Sequence, residues 1–264
     1  MKNFRASNMK RFHILDPTVQ GQNASWFCAL AIMTKAPKAG QVKTRLVPPL
    51  KPDEAAELNR FFLRDTTTAI ANSATGNVAC GIAVYTPIGA ESAYADIIPA
   101  NFRLLPQRGD RFGERLYFAV LDLFKCGFES VCLIDSDSPT VPPENFAQAV
   151  KLLQRPGDRV VLGPCDDGGY YLIGLKKPHK ELFERIDWST ERVLAQTRQR
   201  AREIGLEVKL LPVGYDIDDW ASLQRLCKEL LTGKQSDSVA PRTRKFLRDI
   251  ISREGRARIW PDSR

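Results

Sequence analysis

The chain has 264 residues, 43% of them hydrophobic and 27% charged, an ordinary globular balance with room for one large α/β domain or two small ones. No apolar run approaches the ~18 residues needed to span a bilayer, and no apolar segment with a cleavage site follows the basic first residues, so neither a transmembrane segment nor a secretory signal is expected and a cytoplasmic protein is the default. The net charge of +8 is confined to the ends, +3 in residues 1–25 and +5 in residues 233–264, and no aromatic platform accompanies it, so specific nucleic-acid recognition is not expected.

Residues 1–24 are polar and patternless and read as a flexible tail. From there the chain alternates apolar runs with helical patterns. The spacing predicts strands at Trp26–Met33, Val78–Tyr85, Val131–Ile134, Arg159–Gly163, Tyr170–Leu175 and Glu207–Leu211. Helices are predicted near Pro52–Asn72, Asp110–Lys125, Pro143–Gln154, Thr190–Ile204 and Asp219–Leu231. Several strand segments are apolar throughout, which suits strands covered on both faces, and the alternation implies a mainly parallel sheet built from right-handed crossovers. The main domain is taken as residues 25–232. A basic extension, 233–264, opens with a flexible connector from Gly233 to Ala240 and holds a possible amphipathic helix at Arg242–Ser252. The six cysteines, at 28, 80, 126, 132, 165 and 227, form no C-x-x-C pair, and His13 and His179 are the only histidines, so reduced core residues are expected rather than a zinc site.

In doubly wound sheets ligands bind beyond the carboxyl ends of the strands, so the loops leaving each strand carry the functional argument. The first strand runs into Thr34–Leu46, where Lys35, Gly40, Lys43 and Arg45 form a basic turn able to cradle phosphates; its glycine spacing is neither that of a P-loop nor that of the dinucleotide fingerprint. Val131–Ile134 ends in Asp135-Ser136-Asp137-Ser138-Pro139. Two carboxylates at a buried strand end suit Mg²⁺ or Mn²⁺. Because strand alternation points successive side chains to opposite faces, both reach one ion only if a turn starts at Asp135; Asp137 is then the ligand, with Asp135 supporting through water or a hydrogen bond. The segment Gly163–Leu172 places Asp167, Gly168, Gly169 and Tyr170 between two strands, as a hairpin turn or as the wall of an acceptor pocket. Asp218 or Asp219, before the last helix of the domain, is a helix cap or a metal ligand. Glu114 and Arg115 are expected at the pocket or at an ion-paired helix start.

Taken in order, Ala36-Pro37, Gly40, Val42–Leu46, Gly109-Asp110, Gly113-Glu114-Arg115, Asp135–Pro139, Asp166–Tyr171, Trp188-Ser189-Thr190 and Tyr215–Asp218 resemble a bacterial glycosyltransferase family of the GT-A superfamily, often described as associated with radical-SAM genes. The resemblance covers roughly residues 26–230; more distantly, Lys43–Leu46 resembles the phosphate-contacting loop of phospholactate guanylyltransferases. It implies a three-layer α/β/α, Rossmann-like nucleotide-diphospho-sugar transferase fold. It also implies a divalent metal, Mg²⁺ or Mn²⁺, at Asp137, with Asp216 or Asp218 completing the site. Many relatives carry a small residue where this chain has Asp135. Transfer from a nucleotide sugar to an unknown small acceptor is the expected activity, with Asp167 orienting or deprotonating the acceptor hydroxyl. The alternatives are a nucleotidyltransferase using an NTP and a phosphorylated acceptor, and a non-catalytic nucleotide-binding module. The base, the sugar and the oligomeric state are not legible in the sequence.

Overall fold

The structure, a computed structural model, describes residues 12–19, 27–74, 78–232 and 236–260. Among them, eight strands form one sheet: β1 (His13–Ile14), β2 (Cys28–Lys35), β3 (Ala79–Thr86), β4 (Arg103–Pro106), β5 (Ser130–Ile134), β6 (Arg159–Pro164), β7 (Tyr170–Leu175) and β8 (Glu207–Leu210). Their order is β1-β4-β3-β2-β5-β7-β6-β8. Every pairing is parallel except those of β7, which runs antiparallel to both β5 and β6. Six α-helices flank the sheet: α1 (Pro52–Ser73), α2 (Phe112–Lys125), α3 (Pro143–Gln154), α4 (Val193–Glu203), α5 (Trp220–Leu231) and α6 (Pro241–Glu254).

The strand period of two sorts the core into layers. In β2, Cys28, Leu30 and Ile32 pack with Leu63 and Ile70 of α1 and Phe146 and Leu153 of α3. The intervening Ala29 and Ala31 turn to the opposite face, against Leu116, Val120 and Leu123 of α2 and Ala201 of α4. The result is the three-layer α/β/α sandwich with a mainly parallel sheet. A third apolar cluster joins Leu58 and Phe62 of α1 to Leu223 and Leu226 of α5 and Leu247 and Ile250 of α6. Its polar clamp is Asp65, buried on α1, which accepts from the backbone N–H groups of Arg242 (3.2 Å) and Thr243 (2.8 Å) and so caps α6.

Three features differ from the sequence reading. The 1–24 segment, expected as a tail, holds β1, whose strand continues the sheet edge beside β4 and is followed by the buried Leu15; residues 1–11 and 20–24 lie outside the described residues, as does Trp26. Likewise Ala240, expected in a flexible connector, is buried in the α1–α5–α6 cluster, while 233–235 lie outside the described residues. Finally, β4 was not expected; β7, in keeping with the hairpin reading, is antiparallel because only residues 165–169 separate it from β6, too few for a crossover of roughly a dozen residues. That reversal brings the start of β7 to the same sheet edge as the ends of β2, β5, β6 and β8. All the loops singled out for chemistry meet there.

Candidate active site

The loop after β2 closes on Lys43, which adopts a left-handed conformation (φ 49°, ψ 37°) and opens a 3₁₀ turn, Thr44–Leu46, anchored by the buried Leu46. The turn drives the Lys43 side chain inward, where it is only 5% exposed. Its ammonium is 2.9 Å from Asp137 Oδ1 and donates to Asp218 Oδ1 at 3.0 Å and to the Ile217 carbonyl at 2.7 Å. Three N–H donors therefore meet three acceptors, with the Phe62 ring 5.8 Å away. Burial is the strongest influence on this lysine and favours losing its proton, but Asp137 and Asp218 together outweigh it and raise its pKa above the ordinary value. Arg45, by contrast, is 71% exposed and only approaches Asp218, at 3.8 Å.

The other half of the site is acidic. The β5 ladder continues one residue past the strand, where Asp135 N–H donates to the Tyr171 carbonyl, and the chain then turns, as reaching one centre with both carboxylates requires. Asp137's carbonyl in turn accepts from Ile217 N–H at 3.0 Å, which ties the loop after β8 to the loop after β5. Asp135 is enclosed: Ser138 Oγ donates to its Oδ2 at 2.7 Å and Asp137 N–H reaches its Oδ1 at 3.4 Å. Burial, then the charge on Asp137, holds this carboxyl well above the usual carboxylate range. Asp216 is pushed up to about 6 by burial, then by Asp218 and Asp167, against the pull of Lys43. Cys165, Asp167 and Asp216 bring ligand atoms within 4.8 Å of one another, and burial followed by the neighbouring carboxylates raises the Cys165 thiol.

These groups line a cavity of about 520 Å³ that takes in Asp135, Asp137, Asp167, Gly169, Tyr170 and Asp218 together with Arg45. A smaller one, about 290 Å³, adjoins it and is lined by Lys35, Lys43, Arg45, Asp137, Asp218 and Asn59. Asn59, on α1, was not singled out by sequence; it is 4% exposed, and its Oδ1 has no hydrogen-bond partner among the described residues. Trp188 and Thr190, present in the motifs but absent from the expected site, also line the larger cavity, as does Asp216, the alternative to Asp218 that the resemblance offered.

Three expected site residues are placed elsewhere. Glu114 lines a separate cavity beside Arg111 and Lys180, and its carboxylate accepts from the N–H groups of Asp110 and Arg111 at 3.2 Å, so it caps α2. Gly40 (φ +72°) turns the first loop in open space and lines neither cavity of the site. Gly168 (φ +92°) lies behind the wall: a Cβ there would come within 2.1 Å of the Glu191 carbonyl oxygen, so glycine is what allows the β6–β7 turn to pass against Glu191. Tyr171 lines the larger cavity, but its hydroxyl is committed to packing, accepting from Asn145 Nδ2 and donating to the Pro212 carbonyl.

The hairpin reading of Gly163–Leu172 holds, and Asp167 sits on its turn, with its Oδ1 accepting from Gly169 N–H at 2.8 Å, and lines the cavity. The family model described as "Uncharacterized protein conserved in bacteria (DUF2064)" matches residues 69–190. A solved structure titled "putative nucleotide-diphospho-sugar transferase" from Desulfovibrio desulfuricans G20 is 30% identical, with a TM-score of 0.73 over 87% of this chain and 96% of that one. The chain belongs to that transferase family. Its fold is the nucleotide-diphospho-sugar transferase fold. A CMP:2-keto-3-deoxy-manno-octonic acid synthetase complexed with CTP is 11% identical (TM-score 0.49; 76% of this chain, 96% of that one). The glucosyl-3-phosphoglycerate synthase of Mycobacterium tuberculosis, solved with Mn²⁺, UDP and glucosyl-3-phosphoglycerate, is 13% identical (TM-score 0.45; 90% and 81%). No protein of curated function matches the sequence. No helix among the described residues is long and apolar enough to cross a membrane.

Proposed function

We propose that this member of the family is a metal-dependent glycosyltransferase that moves a sugar from a nucleotide diphosphate to a hydroxyl of a small acceptor. The observation that carries the reading is the convergence of Lys43, Asp137 and Asp218, from three loops far apart in the chain, within 3.0 Å of one ammonium at the junction of the two cavities. Cations on one side and carboxylates on the other are what a cation-bridged diphosphate requires.

A divalent ion fits the donor set. Asp167 and Asp216 bring oxygens within 4.8 Å of one another beside Cys165, and Asp137 and Asp218 line the same cavity; Asp216 is raised by burial and then by like-charge crowding, which a cation would relieve, and Asp135, with both oxygens engaged, supports rather than ligates. When bound, the ion supplies neutralisation of the charge that develops on the leaving diphosphate. Lys35 and Arg45, lining the smaller cavity, hold the diphosphate from the opposite side, and Lys43 keeps the two carboxylate loops in register. Asp167 accepts the proton from the acceptor hydroxyl as its oxygen bonds to the anomeric carbon; the bond from that carbon to the diphosphate oxygen breaks, and the nucleoside diphosphate leaves with the electron pair. A cytoplasmic location belongs to the same proposal and is supported by six free, buried cysteines. The radical-SAM-associated subgroup rests on the order of the sequence motifs.

A panel of UDP- and GDP-sugars and of NTPs, each with Mn²⁺, tests the reading by its products. Nucleoside diphosphate release supports it. Pyrophosphate released from an NTP and a phosphorylated acceptor would replace it with nucleotidyl transfer, and nucleotide binding without turnover would make the chain a binding module.

A further inference from the structure

The larger cavity has two chemically different parts. One is the carboxylate cluster; the other is apolar, built from Met33, Phe112, Leu116, Tyr170, Ile173 and Trp188. Phe112 is 47% exposed and meets Trp188 edge-on with ring centroids 5.2 Å apart. The Trp188 ring lies directly against α2: a Cβ on Gly113 would come within 2.5 Å of its Nε1, so the close approach depends on glycine and fixes the ring. Two aromatic rings thus line the same cavity as the carboxylates.

The charge around the cavity is one-sided. Among its described lining residues Arg45 is the only base, and it belongs to the smaller cavity as well, whereas Asp135, Asp137, Asp167, Glu191, Asp216 and Asp218 are acidic. Trp188 also borders a separate cavity of about 580 Å³ where Arg111, Lys180 and Arg185 occur, the last two paired with Glu184 (2.7 Å) and Glu203 (3.4 Å), and Arg115 lies 5.9 Å from the Phe112 ring centroid; none of these four bases lines the carboxylate cavity. An anionic acceptor entering the apolar part would give up hydration and meet six carboxylates, an excess of negative charge that Arg45 and one divalent ion together do not cancel. A neutral one loses nothing of that kind: its hydroxyls donate to the carboxylates and its flat face covers the rings.

Resting on the glycosyltransferase reading, we propose that the Phe112–Trp188 end of the cavity seats the acceptor, and that the acceptor is an uncharged, hydroxyl-bearing molecule with a flat apolar face. A phosphorylated acceptor is thereby disfavoured. A phenol and a neutral sugar ring both present this chemistry. In the transfer, the acceptor O–H oxygen bonds to the anomeric carbon, its proton passes to Asp167, and the diphosphate leaves with the electrons of the broken C–O bond.

Two separate titrations test the proposal on the full chain. In the first, thermal shift with UDP or GDP and Mn²⁺ reports the nucleotide site alone; no response to any nucleotide would defeat the glycosyltransferase reading without touching the acceptor site. In the second, calorimetry measures binding of 4-methoxyphenol, methyl β-glucoside and glucose 6-phosphate to the wild type, Trp188→Ala and Phe112→Lys. Phe112 is half exposed, so its substitution leaves the fold intact. The expected result is binding of the phenol or the methyl glucoside, or both, which tells the two sources apart, and no binding of the sugar phosphate. Both variants should weaken the neutral ligand by about tenfold, the loss of one aromatic stacking partner, while the nucleotide shift is retained. Glucose 6-phosphate binding as tightly as methyl β-glucoside, or neutral ligands indifferent to both substitutions, would overturn the proposal.

Discussion

Replacing Asp216 by Asn is expected to stabilise the protein and weaken its hold on metal. The carboxyl is raised from 3.8 to about 6, chiefly by burial and by Asp218 and Asp167. A group whose folded value lies above its unfolded one contributes stability in full below the unfolded value, and that contribution is lost as pH rises through the folded one. At pH 7.5 the ionised carboxylate therefore works against folding. At ~1.4 kcal/mol per tenfold in proton affinity, the cost is at most about 3 kcal/mol. The side chain is only partly buried, and solvent screening reduces this to about 1 kcal/mol. Thermal unfolding of Asp216→Asn at pH 7.5 in the presence of chelator should then give a midpoint about 2–4 °C above wild type. The advantage should shrink through pH 6 and vanish near pH 4. With saturating Mn²⁺ the order should reverse, because binding to the folded state stabilises it by about 2.7 kcal/mol at a hundredfold excess over Kd, and the variant has lost a ligand. Equal midpoints at pH 7.5 without metal, or an undiminished Mn²⁺ shift in the variant, would refute the reasoning.

Four other outcomes can be checked. Asp137→Ala should keep the fold, since the side chain is partly exposed, yet lose metal-dependent turnover by about 10² or more, measured by steady-state product release. Lys43→Met removes the cation that offsets Asp137 and Asp218; metal titration should show tighter Mn²⁺ binding in the absence of nucleotide, and urea unfolding a loss of about 1–3 kcal/mol. Gly168→Ala should cost about 3 kcal/mol or more, because positive φ and the Glu191 carbonyl both oppose a Cβ, and denaturant midpoints would reveal it. Asp65→Ala should uncap α6 at a cost of about 1–2 kcal/mol and make residues 241–254 the first site of limited proteolysis.

The long elements were legible because their patterns are redundant. β2 presents eight consecutive residues of which six are fully buried, and α1 repeats its apolar positions over six turns. β1 and β4 were not, since two and four residues show no period, and their strand character comes from pairing with β4 and β3 rather than from their own composition. At the site, the loops were readable from residue type: basic after β2, acidic after β5. The partnerships were not. Lys43 looks like a phosphate ligand in sequence, and only the packed loops show its three protons spent on Asp137, Asp218 and Ile217. Glu114 belonged to a motif but sits where helix geometry needs an acceptor, and motif order alone cannot separate a cap from a pocket wall. Asn59 gave no signal, being one polar residue on an amphipathic helix; its unpaired, buried carbonyl exists only in three dimensions.

The tie between residues 43, 137 and 218 also sets a timetable for synthesis. β7 enters the sheet between two strands already made, and the last carboxylates arrive only with the loop after β8. A nascent chain halted before residue 216 would carry most of the sheet but a lysine facing too few carboxylates. The site would therefore close late, when the loop that carries Asp216 and Asp218 clears the ribosome.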